Sequence, residues 1–398
     1  MRIAKYTSTI LLLCCCLFSA QANAQDDSLV VNGEIKGIGN QKVYLSFPGQ
    51  DGKTIAYQSE AKDDKFSFKV QKLLQPVHAR VRSNAQKELT KTINGVKYGN
   101  QVPTLDLFVH DANITINGEI ENLHTCIVKG GRENDEFAAY RSAVKKIEIN
   151  QWELRNKMFM LDDPKEDSLT YKNLMAQSSA NFKSQVALQK EFINNNPGSF
   201  GSLFLLSRME NLFTAGDYQE IYESLSDEYK NTPIARQIAK RIDFLSPTSP
   251  GKAAVLFTRT DKEGKVINLS EYKGKIVLLD FWGSWCGPCR ASHPHLKELY
   301  AKYKDKGFEI IAIAQQRFKT MEEKREKWLE AIEKDGINWV HVMNDDGTEK
   351  TQNIVADYRV TAFPTKILLD RDGKILLRIS ASATDDIDKM LEKELGNK

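Results

Sequence analysis

Two cysteines, Cys286 and Cys289, stand three positions apart in "DFWGSWCGPCRASHP", residues 280–294, directly after the apolar run "KIVLL". That spacing allows a reversible redox pair, half of a metal site, or a structural disulfide. An exported fold stapled by disulfides would carry many more cysteines. Cys14, Cys15 and Cys16 fall in an N-terminal leader, and beyond it only Cys126, Cys286 and Cys289 remain. The adjacent pair is therefore expected to do chemistry. A tetrahedral metal site would have to recruit His293 and His295, which sit two apart on one helix and so point in different directions. No metal and no other cofactor is expected.

The pair needs a strand to deliver it and a helix to hold it. The apolar run reads as a buried strand, and a helix is expected to start at the cysteines, with Cys286 at the N-cap, Gly287 and Pro288 next, and Cys289 third. Pro288 is tolerated because first-turn amides lack an intrahelical partner. Residues three apart on a helix are neighbours, so the disulfide could open and close with little backbone movement. The Cys286 sulfur would face unpaired amides and the positive end of the helix dipole, which favours thiolate and makes it the candidate nucleophile. Cys289, one turn in, is the candidate resolving thiol. Asp280 lies six residues before Cys286, at the end of the strand. Burial there favours the protonated carboxyl, which could exchange a proton with Cys289. Trp282 and Trp285 are expected to pack around the sulfurs, with Trp285 also forming a rim for a partner peptide.

The remainder of the 398-residue chain divides by pattern. Residues 1–24 combine Arg2 and Lys5, an apolar core from Ile10 to Phe18 and the small-residue step Ala22-Asn23-Ala24, which reads as a signal peptide. Export to the periplasm or cell envelope follows, with a membrane anchor less favoured. Losing that leader takes the net charge from +3 to +1, a balance that argues against a nucleic-acid partner. Residues 25–130 alternate short β-type runs with Asn-Gly and Asp-Gly turns, as a small all-β domain would. Cys126, near its end, is expected to be a buried free thiol. From 131 to 245 apolar residues step by threes and fours, giving a helical region in which Pro164 stops the first long helix and the second folds back antiparallel. "SPTSPGK", 246–252, reads as a linker. Residues 253–398 alternate apolar strands with helices, an α/β unit whose sheet is covered on both faces.

The segment "FWGSWCGPCR" closely resembles the thioredoxin active site, and "LSEYKGKIVLLDFW" with the export signal resembles the periplasmic TlpA and ResA-like thiol-disulfide oxidoreductases. The resemblance covers roughly residues 249–398 and implies a thioredoxin-like C-terminal domain. "YRVTAFPTKILLDRDGK" resembles the segment carrying that family's cis-proline, which implies that Pro364 lies beside Cys286 and that the backbone of Phe363 pairs with substrate. The implied activity is reduction of protein disulfides through a mixed disulfide. The implied substrate-binding residues are Trp285, Gly287, Pro288, Phe363 and Pro364. The implied partners are disulfide-containing clients and a membrane thiol-disulfide electron donor. A non-catalytic binding or scaffold protein on a thioredoxin fold is the alternative.

Overall fold

The computed structural model describes residues 27–49, 52–93, 95–161, 168–209, 215–345, 347, 351–380 and 385–396. The expected leader and the helix-stopping Pro164 lie outside the described residues. Among the described residues no helix is long and apolar enough to cross a membrane.

Among the described residues ten strands come first: β1 (Ser28–Lys36), β2 (Lys42–Pro48), β3 (Thr54–Glu60), β4 (Lys65–Gln71), β5 (Val77–Ser83), β6 (Leu89–Ile93), β7 (Val96–Asn100), β8 (Leu105–Val109), β9 (Ile114–Glu119) and β10 (Ile127–Lys129). Buried and exposed residues alternate along β1 and β4, so each strand keeps one face dry and one wet. Two four-stranded sheets result, β10-β9-β1-β4 and β3-β2-β5-β8, packed over a shared core that includes Val31, Phe68, Ile116, Leu45, Val81 and Leu107. Every pairing is antiparallel except β1 with β9. Cys126 is free and buried within this core. Gly118 makes room for it, since a Cβ there would stand 2.3 Å from the Cys126 sulfur. Burial pushes the thiol up to about 11, as expected of a packed and inert sulfur.

Six helices of the described residues follow: α1 (Arg132–Met160), α2 (Ser168–Asn195), α3 (Phe200–Arg208), α4 (Ala215–Ser224), α5 (Asp227–Lys230) and α6 (Pro233–Leu245). α2 runs antiparallel to α1, because Gln151 bonds Ser178, Glu148 meets Gln185 and Phe137 meets Phe192. The helices are tied to the β-rich region at several strands, β8 among them. The Asn134 side chain accepts from Phe108 N at 2.9 Å and donates to Phe108 O at 2.7 Å, while the Phe108 ring packs among Phe137, Phe200 and Phe204.

The remaining elements are β11 (Thr258–Thr260), β12 (Val266–Asn268), β13 (Ile276–Trp282), α7 (Gly287–Tyr303), β14 (Phe308–Ala314), α8 (Met321–Asp335), β15 (Val340–Met343), α9 (Ile354–Asp357), β16 (Thr365–Leu369), β17 (Ile375–Ile379) and α10 (Asp386–Leu395). Five strands form one sheet, β15-β14-β13-β16-β17, with β13, β14 and β15 parallel and β16 and β17 antiparallel to their neighbours. This is the thioredoxin-like arrangement. β13 is buried at every residue because both its faces are covered. Leu278 and Trp282 join Leu296, Leu299, Trp328 and Leu391 on one face, while Val277, Leu279 and Phe281 join Phe257, Tyr358 and Ile367 on the other.

Residues 246–252, expected to be a linker, are instead packed down. β17 is an edge strand with backbone groups to satisfy. Gly251 N donates to Ile375 O at 2.7 Å and Ile375 N to Lys252 O at 2.8 Å. Thr248 is fully buried and accepts from the Arg378 guanidinium at 3.1 Å. Composition suggested a loose segment; the hydrogen-bonding demand of the sheet edge fixes it.

Candidate active site

β13 ends at Trp282 and the chain turns sharply into α7. Gly283 is required there by packing, because a Cβ would lie 2.5 Å from Trp285 Nε1 and 2.7 Å from the Gln315 carbonyl. Cys286 is the N-cap, with its sulfur accepting from Cys289 N at 3.3 Å, and Gly287, Pro288 and Cys289 fill the first turn. The two sulfurs are joined, with Cα atoms 5.3 Å apart. Cys289 is fully buried and Cys286 keeps only 4% exposure, while Gly287 and Pro288 stand exposed beside it. Trp285 donates from Nε1 to Gln315 O at 2.8 Å, meets Phe363 edge-on at 5.6 Å, and carries the Arg317 guanidinium over its face at 3.3 Å. The Phe363–Pro364 peptide is cis. Cys286, Cys289, Trp285 and Phe363 thus share one cluster, and Pro364 begins the turn into β16 next to it.

Asp280 is fully buried, as its place in β13 implied, but it is not alone. β13 and β16 pair antiparallel with Asp280 directly opposite Lys366. Lys366 Nζ reaches Asp280 Oδ1 at 2.9 Å and Ser292 Oγ at 3.2 Å, and Ser292 in turn donates to Cys289 O at 2.7 Å. Burial disfavours a lone carboxylate; an ammonium at this distance offsets that cost. Asp280 is therefore one half of a buried pair with Lys366, joined through Ser292 to the turn that holds Cys289.

Residues 249–392 match the Redoxin family. Over 136 residues the chain is 38% identical to the thiol-disulfide oxidoreductase ResA of Bacillus thuringiensis (strain Al Hakam), an alignment spanning 34% of this chain and 72% of that protein. The chain belongs to the ResA family of thiol-disulfide oxidoreductases. ResA of Geobacillus kaustophilus (strain HTA426) is 34% identical over 143 residues, covering 36% of this chain and 76% of its own. Among solved structures, the thioredoxin domain of a thiol-disulfide oxidoreductase from Bacteroides vulgatus is 33% identical, covers 37% of this chain and 98% of its own, and has a TM-score of 0.32. The Redoxin match begins at residue 249, so the sandwich and all of α1 to α6 lie ahead of it.

In this ResA-type oxidoreductase the two histidines after the cysteines diverge. His293 is buried and its Nδ1 lies 2.8 Å from Asp335 Oδ2, while His295 is exposed and pairs with Asp388 at 2.9 Å. Asp335 is also gripped side-on by Arg290, at 2.9 Å from Nε and 2.5 Å from Nη2. Burial pushes the Asp335 carboxyl up, but Arg290 and His293 outweigh it and hold the group below its ordinary range. This locks α7 to the end of α8 and fixes the platform on which Cys286 sits. Sequence reasoning missed Lys366, Arg317 and Gln315. A lysine inside the apolar run "TKILL" was the one available signal, since a central strand buries a charge only when it is paired.

Proposed function

We propose that this protein reduces disulfides of client proteins in the cell envelope, with Cys286 as nucleophile and Cys289 as resolving thiol. The observation that carries the reading is the N-cap position of Cys286, whose sulfur already accepts a hydrogen bond from the first turn of α7. The amides and dipole of that turn stabilise the thiolate. The Cys286 thiolate attacks one sulfur of a client disulfide, forming a mixed disulfide and expelling the other client sulfur as a thiolate that takes a proton. Cys289, deprotonated in the same turn, then attacks the Cys286 sulfur. Its electrons release the second client sulfur as thiol, and the Cys286–Cys289 disulfide is left behind. Asp280, coupled to Lys366, takes the Cys289 proton. The client segment lies across Gly287 and Pro288, with Trp285 as its rim and the Phe363 backbone, set by cis Pro364, pairing with it by strand addition.

Each turnover oxidises the pair, so two electrons must be returned from a membrane thiol-disulfide donor. The leader at residues 1–24 supports export, and residues 25–130 and 131–245 form the β-rich and helical units ahead of the catalytic one. Insulin turbidity with dithiothreitol tests the reading: the native chain is expected to reduce insulin much faster than Cys286→Ser. Equal rates would favour a binding protein on the same fold. Cys289→Ser should stall the mixed disulfide and carry clients through a non-reducing gel, and absence of any such adduct counts against Cys289 as resolver.

A further inference from the structure

A second polar centre lies far from the cysteines in sequence, where the sandwich meets the long helices. A chamber of about 250 Å³ opens there, walled by the rings of Phe137, Tyr140 and Phe204. Arg141 of α1 reaches into it. Its Nε and Nη2 are shut off from solvent and have no hydrogen-bond partner among the described residues, and its guanidinium rests 5.0 Å from the Phe137 ring. Arg141 as a whole is half-buried, but guanidinium nitrogens buried without a hydrogen-bond partner are costly, and folds retain them where something else supplies the acceptor. The two free nitrogens form the side-on fork of the guanidinium. Arg290 uses that same edge to hold Asp335.

The neighbouring carboxylates are committed elsewhere. Asp106 is held by His78 at 2.7 Å and by Arg208 at 3.7 Å, and Glu148 accepts from the Gln185 amide at 3.3 Å. Both lie near enough to attract Arg141, yet neither accepts a hydrogen bond from it. Burial pulls Arg141 down to about 10 and pushes Glu148 up to about 7, the response of charges that lack adequate partners. A second chamber of about 450 Å³ adjoins the first and shares Asp106, His124, Glu148, Gln185 and Arg208 with it.

We propose that this junction binds a small monocarboxylate with an apolar body, gripped side-on by Arg141. The planar fork matches a carboxylate in two parallel hydrogen bonds. The aromatic walls take the apolar body, and Asp106 and Glu148 repel any second negative charge. The site is built by the β-rich and helical regions together, and a ligand seated in it braces one against the other.

Isothermal titration of the chain from Gln25 onward with hydrocinnamate, N-acetylphenylalanine, the amide of each, and inorganic phosphate tests the assignment. The acids are expected to bind at about 1 mM or tighter, and the amides at least about tenfold weaker because they cannot fill the fork with charge. Phosphate is expected not to compete. Arg141→Met should abolish acid binding, leave insulin reduction unchanged and raise the unfolding midpoint, because it removes two buried guanidinium nitrogens that have no hydrogen-bond acceptor. Arg141→Lys keeps the charge without the fork and should bind at least about tenfold weaker. The proposal is overturned by acids and amides binding equally, by no acid binding to the native chain, by displacement with phosphate, or by acid binding that survives Arg141→Met. The acid-against-amide comparison needs no variant and stands even if Arg141→Met fails to fold.

Discussion

Lys366→Met should cost the thioredoxin-like region about 3–5 kcal/mol, because it strands Asp280 in the centre of a sheet. At 2.9 Å and an effective dielectric of about 20, two unit charges attract by about 6 kcal/mol. Desolvating each ion consumes several kcal/mol, so the intact pair comes near to breaking even. Deleting one partner forfeits the attraction and leaves the other's desolvation uncompensated. Asp280 has no reserve, since among the described residues its Oδ2 is buried without a hydrogen-bond partner and its Oδ1 is held by Lys366. Asp280→Leu should cost a similar amount by stranding the ammonium, whose remaining partner is Ser292. The double variant should return to within about 1 kcal/mol of the native chain, as well-packed apolar replacements of buried pairs do. Urea titration followed by tryptophan emission reads this region, since of the five tryptophans only Trp152 precedes residue 280. A loss under about 1 kcal/mol for Lys366→Met, or single-variant losses that simply add in the double, would refute the claim that the two charges act as one unit.

Acid should loosen the same region through His341. This ring is buried, and burial draws it from an ordinary 6.5 down to about 3. The folded chain therefore keeps it neutral while the unfolded chain takes up a proton, so its contribution is complete above about pH 6.5 and is lost as pH falls toward 3, up to about 4–5 kcal/mol. Burial lowers His293 as well, which acts in the same direction. His341→Phe should flatten the slope of stability against pH between those limits, and an unchanged slope assigns the acid sensitivity to other groups. Gly283→Ala forces a methyl against Trp285 Nε1 and the Gln315 carbonyl, the second of which is backbone and cannot swing aside. It should cost about 1–3 kcal/mol and break the Trp285 to Gln315 hydrogen bond, seen as altered tryptophan emission. An alanine variant with native emission and midpoint would mean the turn has slack.

The elements that could be read from the sequence are those whose signal is local. Alternation along β1 and β4, the apolar block of β13 and the Cys286 N-cap each rest on a few neighbouring residues, and each forms where expected. What escaped depends on register between distant segments. Lys366 faces Asp280 because β16 pairs with β13 across 86 positions, and no spacing within either strand encodes that offset. Phe108 likewise looks like one more sandwich residue, yet its ring belongs to the helical core. The segment 246–252 is a like case: its composition favours a linker, while Gly251 and Lys252 bond the edge of a sheet formed over 100 residues later.

The two glycines flanking Cys286 show how the fold and the chemistry divide the work. Gly283 is enforced by the interior, where any side chain would collide with Trp285 and Gln315. Gly287 meets no such demand, for a Cβ there would have nothing within 4 Å. Packing therefore does not explain it. Cys286 offers only 4% of its surface, so in the proposed reaction a client sulfur has to come down onto it past whatever stands beside it. A missing side chain at Gly287, next to a Pro288 ring that carries no N–H to compete for the client's backbone, leaves that approach open. The interior has fixed the height and direction of the sulfur through Gly283, Trp285 and the Arg290–Asp335 clamp, and the bare first turn of α7 keeps the way to it clear. Rigidity below and access above are separate requirements, and in this chain separate residues meet them.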